Sequence, residues 1–463
     1  MSFRTAGDQR ARVAPRSVPG LGHLPALAAD PLGFLLRLRA YGDLVVIRVA
    51  TLPVYVLNAP ELVHRVLVTE ADGFDKGRLF ERARPVLGQG LLASDGDFHR
   101  RQRRLLQPAF HRRCAASWAE VTEAETAAMC GAWQPGDVID VVTWTRVLAT
   151  RVVLRALFTA EPSDRIVERV NRALPVLLRG FVPRLLRPDG PAGRLPTPGS
   201  LRFERAARDL RSALDEIIAS YRNAPTSRYG PDSAALRTSH TVQEDGLLPL
   251  LCRPGPDGRP VLPDDHIRDE AVTMLLAGVE TTGASLAWLL HELDRHPEVR
   301  ARVRRETTTA GSRTAGSREH APYLHDVLKE NLRLHTPTWV LTRRTRRRFQ
   351  HGGVQLPAGA EILFSPLAMH TDPRLYPDPK AFDPDRWAKA TVPRGAFTPF
   401  GAGVHKCIGE AFASTETAVA LSVILSSWIL TGTGHSRPRA GKYLGTHQPQ
   451  RLLMTVTRPQ HHE

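Results

Sequence analysis

From Asp264 to Arg295 the chain runs without a proline while apolar residues keep returning at helical spacing, enough for roughly nine turns at 3.6 residues each. A helix of that length crosses a whole domain, so the remaining elements have to pack around it. Asp264 or Asp265 is available as its N-cap. Ala277-Gly278-Val279-Glu280-Thr281-Thr282 sits inside this run, although glycine and paired threonines are poor helix formers. Something other than propensity selected them. A hydroxyl at Thr281 can compete for the Ala277 carbonyl and open the helix locally into a groove.

The surrounding pattern is helix-rich. Helical periodicity is expected over 98–109, 114–132, 143–158, 163–180, from Leu201 onward, from Pro297, and over 322–335. Leu44 to Val49 and Val54 to Leu57 read as strands joined at Ala50-Thr51-Leu52-Pro53, and short strands recur near 339–365. Gly73, Gly77, Gly88, Gly90 and Gly96 mark a long loop, whereas residues 1–20 form an irregular basic arm. The stretch from Asn223 to Gly246 is polar, and a proline-punctuated meander runs from Pro373 to Pro399. The apolar stretch from Val419 to Leu430, interrupted by serines, reads as a buried helix. No linker divides 463 residues into independent halves, so one domain over 1–463 is expected, with 42% apolar residues to fill its core.

A net charge of +16 comes with 63 basic residues, of which only six are lysine. No recognition motif accompanies that charge, so no nucleic-acid partner is expected; an acidic protein partner suits it better. Arg4, Asp8, Arg10 and Arg12 occupy the place where a membrane anchor would need an apolar core. Cys114, Cys130, Cys252 and Cys407 lack paired spacing, which fits a reducing cytoplasm and no disulfide framework.

Phe400-Gly401-Ala402-Gly403-Val404-His405-Lys406-Cys407-Ile408-Gly409 places one cysteine on a glycine-rich loop ahead of a helix. Such a loop brings backbone close to a flat macrocycle and turns N–H groups toward sulfur, stabilising its negative charge. Cys407 therefore reads as a haem-iron ligand, and a thiolate is the axial ligand that favours O–O cleavage. A buried structural cysteine in a glycine-rich turn is the alternative. With Cys407, the segments His99 to Arg103, Ala277 to Thr282, Glu330 to Arg333, and Phe382-Asp383-Pro384-Asp385-Arg386-Trp387 occur in an order that resembles the cytochrome P-450 family of haem-thiolate monooxygenases.

The resemblance implies a mainly α fold with a small β lobe, the haem lying between the long central helix and the cysteine loop. It implies haem b (iron protoporphyrin IX) as cofactor and Cys407 as the metal ligand. Thr281 and Glu280 would be the catalytic alcohol and acid. Ala277 and Gly278 would keep the groove open, Phe400 and Gly409 would frame the sulfur, and His99, Arg103, Arg343 and His405 would meet the propionates. Glu330, Arg333 and Arg386 would form a structural charge network, and Thr336 stands where relatives often have a proline. Electrons would come from NAD(P)H through a separate ferredoxin and ferredoxin reductase, with Arg100, Arg101, Arg104 and Lys406 as a docking patch. The chain would act as a cytoplasmic monomer on O2 and a hydrophobic small molecule.

Phe74-Asp75-Lys76-Gly77, the stretch from Gly90 to His111, Leu195-Pro196-Thr197 and Trp339-Val340-Leu341-Thr342-Arg343 are similar to bacterial terpene hydroxylases of the pentalenene oxygenase type. A pocket drawn from Leu79, Phe80, Thr273, Ala277, Thr338, Trp339 and Val340 would suit a hydrocarbon. Two other functions compete with the monooxygenase. One is a peroxygenase fed by hydrogen peroxide, against which the Glu280–Thr281 pair argues, since peroxide brings its own protons. The other is a non-enzymatic haem sensor or ligand-binding protein, for which no output segment is visible.

Overall fold

The computed structural model describes residues 12–459, apart from 162, 186–196, 224–245, 254–261, 352, 390–391 and 435–444. The expectations for residues 1–11 of the basic arm, for Leu195-Pro196 and for most of the polar stretch after Asn223 lie outside the described residues. The central helix, Asp264–Arg295, forms as the periodicity predicts and spans about 48 Å at 1.5 Å per residue. Its cap differs from the expectation. Pro263 holds the N-cap position, while Asp264 turns outward to pair with Arg222 at 2.7 Å. A fixed proline φ can end the incoming chain, which frees the carboxylate for the ion pair.

Helices Val141–Ala156 and Pro198–Asn223 pack beside the central helix, Asp164–Leu185 packs against those two, and Glu410–Ser427 closes the core with Ala115–Gly131. Close approach explains two glycines. A methyl at Gly283 would stand 3.2 Å from the Arg146 backbone, and one at Gly278 would stand 3.2 Å from Val153. The central helix also passes a length-and-composition test for crossing a membrane, but 83% of its apolar window is buried inside the protein. It is therefore the hydrophobic axis of the fold.

The β lobe is a sheet in the order Arg12–Val13, Leu44–Val49, Leu52–Leu57, Glu361–Phe364, Leu341–Thr345 and Phe74–Asp75. The predicted first hairpin is present, with register Leu44↔Leu57 and Ala50 at φ 54° in its tight turn. Two expectations need correcting. The segment taken as one long glycine-punctuated loop contains the helix Arg78–Leu87, despite Pro85 inside it, bounded by Gly77 and Gly88 at positive φ. The last apolar helix stops at Ser427, and Ile429–Gly432 becomes a strand paired with Leu453–Thr457. Local apolar content cannot tell a buried helix from a buried strand.

The meander is fastened by charge. Glu330 and Arg333 share a face of Pro322–Leu334, and both side chains are fully buried. The Glu330 carboxylate accepts from Arg333 Nε at 2.9 Å and Nη2 at 2.8 Å, from Arg386 Nε at 2.9 Å, from Trp387 Nε1 at 3.1 Å and from the Asp383 amide at 3.0 Å. Arg333 spends its remaining donors on the carbonyls of His370, Pro379 and Ala381. Each donor finds an acceptor, the condition under which a buried ion pair holds structure together. Glu330→Gln should leave two buried guanidinium groups uncompensated and destabilise the protein by about 3–5 kcal/mol. Denaturant unfolding of the variant checks this, and a loss below about 1 kcal/mol would mean the network is dispensable.

Candidate active site

The cysteine loop is a tight return. The Cys407 amide donates to Phe400 O at 2.9 Å, and Gly401 and Gly403 adopt φ 68° and 67°. A side chain at Gly403 would also overlap the carbonyl oxygen of Leu67, so glycine is required there twice over. Cys407 is open at the surface of its recess, yet enough protein surrounds it for burial to push its thiol up; the hydrogen bond from Gly409 N–H and the charges of Arg103 and Lys406 oppose that rise. With the thiol pushed up, a bound metal cation would be one way to hold this sulfur as thiolate.

A second accessible spot lies on the central helix. Ala277 is exposed although Leu276, Val279 and Glu280 are buried, and Thr281, one turn on, is half-buried. Thr281 Oγ1 donates to Ala277 O at 2.6 Å, the bond that the residue pattern predicts. Gly278 points elsewhere: its missing side chain faces Val153, so it serves interhelical packing rather than clearance of the Ala277 face. Glu280 is buried, and desolvation raises its carboxyl pKa against the pull of Arg146 and Arg179. Its Oε1 finds no hydrogen-bond partner among the described residues.

Basic side chains gather beside the cysteine loop. His99, on the helix Gly96–Leu106, packs its ring 4.7 Å from that of His405, and Arg103 Nη1 donates to Lys406 O at 2.6 Å. His405 Nε2 lies 3.3 Å from Asp95 Oδ1, which also accepts the Gly96 amide and faces Arg346 at 3.2 Å. Arg343 points inward from its strand with 6% exposure, and its Nη1 donates to its neighbour's carbonyl, Thr342 O, at 2.7 Å. Arg344, on the other face of the strand, is spent on Asp75 and Glu81.

Lys76 belongs to this cluster and was not read from the sequence as a site residue. Its Nζ is buried against Leu91 O at 2.8 Å and Leu92 O at 2.9 Å. Burial lowers Lys76 to about 7, His99 to about 3 and Arg343 to about 10, with neighbouring basic groups adding to the fall at Lys76 and His99. The carboxylates acting on them are Asp95, Asp75 and Glu270, and burial raises Glu270 to about 7. The imbalance suits a dicarboxylate ligand bearing a metal that Cys407 can reach. The donor set therefore fits haem, with Lys76, His99, Arg103, Arg343 and His405 available to its propionates.

Other expected residues fall in different places. Trp339 is not a pocket wall: it is buried in the β-lobe core with Phe34, Leu35 and Val56, and its Nε1 donates to Gly445 O at 2.9 Å. An indole satisfied at its nitrogen is worth more as core than as lining. Thr273 is buried against Gly90, whose backbone passes too close for any side chain there. Thr338 is exposed, and Leu79 and Phe80 are half-buried. In the basic patch, Arg100 pairs with Asp97 and Lys406 with Glu410.

Residues 14–450 match the family model for cytochrome P450. Cyclooctat-9-en-7-ol 5-monooxygenase of Streptomyces melanosporofaciens is 39% identical over 90% of this chain and 89% of its own length. Pentalenene oxygenase of Streptomyces avermitilis is 36% identical over 96% of this chain and 97% of its own. The retinoic acid-bound cyanobacterial CYP120A1 structure superposes with a TM-score of 0.81 at 22% identity, covering 98% of this chain and 100% of that one, a likeness of fold. The chain belongs to the cytochrome P450 family and is a monooxygenase, an oxidoreductase whose family employs haem, O2, an organic substrate and redox partners.

Replacing Arg343 by Met tests the cation cluster in both directions. The haem-free chain should unfold at an equal or higher denaturant concentration, because a desolvated charge is gone. The holoprotein should lose haem roughly ten- to hundredfold faster, the equivalent of one charge-assisted hydrogen bond of about 1.5–3 kcal/mol. Transfer of haem to an acceptor protein measures the second effect, and an unchanged rate would place Arg343 outside the propionate contacts.

Proposed function

We propose that this monooxygenase hydroxylates a cyclic terpene hydrocarbon, using haem b and electrons from NAD(P)H delivered by a separate ferredoxin and ferredoxin reductase. The observation that carries the reading is the exposed Ala277 methyl on an otherwise largely buried stretch of the central helix, one turn from the Thr281 hydroxyl that is anchored on the Ala277 carbonyl. The terpene-modifying relatives support the substrate class. A charged substrate would need a buried counter-ion facing the opening. Among the described residues, the basic side chains near the cysteine loop bond to backbone carbonyls, Asp95 and Glu410.

Cys407 is the iron ligand in this reading, and Phe400 and Gly409 frame it. The haem, when bound, supplies the oxygen activation. The residues of the chain do the rest. Lys76, His99, Arg103, Arg343 and His405 would hold the propionates. Thr281 donates its hydroxyl proton to Ala277 O, which leaves the lone pairs of Oγ1 free to accept a hydrogen bond from a water beside it. Glu280 is the proton source for that water. Burial raises its carboxyl pKa, rotation of its side chain brings the acid proton to the water that Thr281 holds, and the carboxylate is reprotonated from solvent. Arg101 and Arg104 form the outward part of a surface for an acidic ferredoxin. The chain works as one monomeric unit in the cytoplasm.

Thr281→Ala should retain haem and substrate binding while product per NAD(P)H falls severalfold and hydrogen peroxide rises, because only the proton path is removed. Assay of product, peroxide and NAD(P)H in the same reaction checks this; unchanged coupling would remove Thr281 from the mechanism.

Substrate class is tested by titrating the ferric protein with sesquiterpenes, diterpenes, fatty acids, steroids and macrolide aglycones, following the absorption shift that marks displacement of water from iron. Cyclic terpenes should bind best and yield mono-oxygenated products with surrogate redox partners. Preference for carboxylates or macrolides would overturn the terpene assignment.

A further inference from the structure

The arm that feeds the cysteine loop, Ala396 to Phe400, has little regular structure of its own. Two buried side chains grip it. Tyr376 Oη donates to Ala396 O at 3.2 Å, and the Thr398 amide donates to His370 Nε2 at 3.0 Å. Both rest on Arg333, which donates to His370 O at 2.9 Å and lies 5.3 Å from the centre of the Tyr376 ring.

His370 can accept from Thr398 only if Nε2 is unprotonated, and that is decided on the far side of the ring. Thr336 Oγ1 lies 2.7 Å from His370 Nδ1 and 2.5 Å from Leu332 O. A carbonyl cannot donate, so the single hydroxyl proton of Thr336 goes to Leu332 O. Its lone pair is then left for Nδ1–H of the imidazole. The four groups thus form one directed chain: Thr398 N–H to Nε2, Nδ1–H to Thr336 Oγ1, and Oγ1–H to Leu332 O. Thr336 and His370 have no exposure and Thr398 has 5%. Burial and the Arg333 charge hold the imidazole neutral, pulling it down to about 3, which keeps the acceptor in place.

We propose that His370, oriented by Thr336, is a positioning residue for the Cys407 loop, tying its incoming arm to the Glu330–Arg333 network through the Thr398 amide. The inference rests on the reading of Cys407 as the iron ligand. Its consequence is mechanical. With the Thr336 hydroxyl gone, Nδ1–H loses its close acceptor and keeps only the weaker pull of the Leu332 and Arg333 backbone, so the imidazole is no longer held to one tautomer. Nε2 then carries a proton, Thr398 loses its acceptor, and the arm that sets the sulfur position is loosened.

The experiment follows the ferrous–CO spectrum of the holoenzyme with time at a fixed, mildly elevated temperature, reading conversion of the red-shifted thiolate band to the blue-shifted form. Thr336→Val keeps the shape and deletes the hydroxyl, and should speed the conversion roughly tenfold, as expected from one orphaned buried donor. Thr336→Ser restores the hydroxyl and should stay within about twofold of the native rate. Adding Thr336→Val to His370→Leu should change the rate no further, because the chain is already cut. If His370→Leu does not retain haem, the Val and Ser variants decide alone. A native rate in Thr336→Val, or equal rates in Val and Ser, would overturn the proposal. A native protein without the thiolate band would instead overturn the Cys407 assignment on which it rests.

Discussion

The buried carboxylate of Glu330 is the point from which the site is hung. It has no exposure and compensates two arginines, one on its own helix and one arriving 56 residues later with the meander. The meander carries little secondary structure to hold it, so its path is set by what its carbonyls can reach. Arg333 provides that, donating to carbonyls at 370, 379 and 381 from one guanidinium. The fork geometry of arginine makes this possible; a lysine ammonium is a compact point charge without that fixed spread of donors. The arm that enters the cysteine loop meets that fork through His370 and Tyr376.

Two kinds of buried charge stand in this protein, and they differ in whether they are balanced. At Glu330 every donor has an acceptor and the arrangement is complete as it stands. Beside the cysteine loop, Lys76, His99, Arg103, Arg343 and His405 share too few carboxylates, and burial drives several of them away from their ordinary protonation. An incomplete set of this kind is costly to fold unless a ligand completes it. With the propionates assigned to these residues, haem affinity and folding stability would be coupled in the same side chains, since a ligand bound only by the folded state stabilises it by mass action.

Much of this was legible in the sequence because it is written in local rules. The central helix shows through its uninterrupted period, and the glycine pattern before Cys407 shows because only glycine tolerates φ near +67° against the Leu67 carbonyl. The Thr281 back-bond follows from residue type alone. What escaped depends on partners far along the chain. Arg78–Leu87 hid behind Pro85 and its flanking glycines, which locally signal a loop. Lys76 reads as a solvated lysine until Leu91 and Leu92 fold over it, and Trp339 reads as pocket lining until the β lobe closes around it. Gly278 reads as groove clearance until Val153 arrives across the helix interface.

Thr336 shows how a departure from a family pattern can become part of the machinery. Taken as sequence, it is a residue of local packing. In the fold it fixes which nitrogen of a buried imidazole carries the proton, and that proton decides whether a backbone amide two residues before Phe400 has an acceptor. A hydrogen bond of this kind contributes little to stability averaged over the molecule. Its weight lies in direction: a neutral imidazole has two nearly equivalent tautomers, and only one is compatible with the Thr398 amide. Specifying one state among two close in energy is a task that a single buried hydroxyl can do and that apolar packing, which does not distinguish the two nitrogens, cannot.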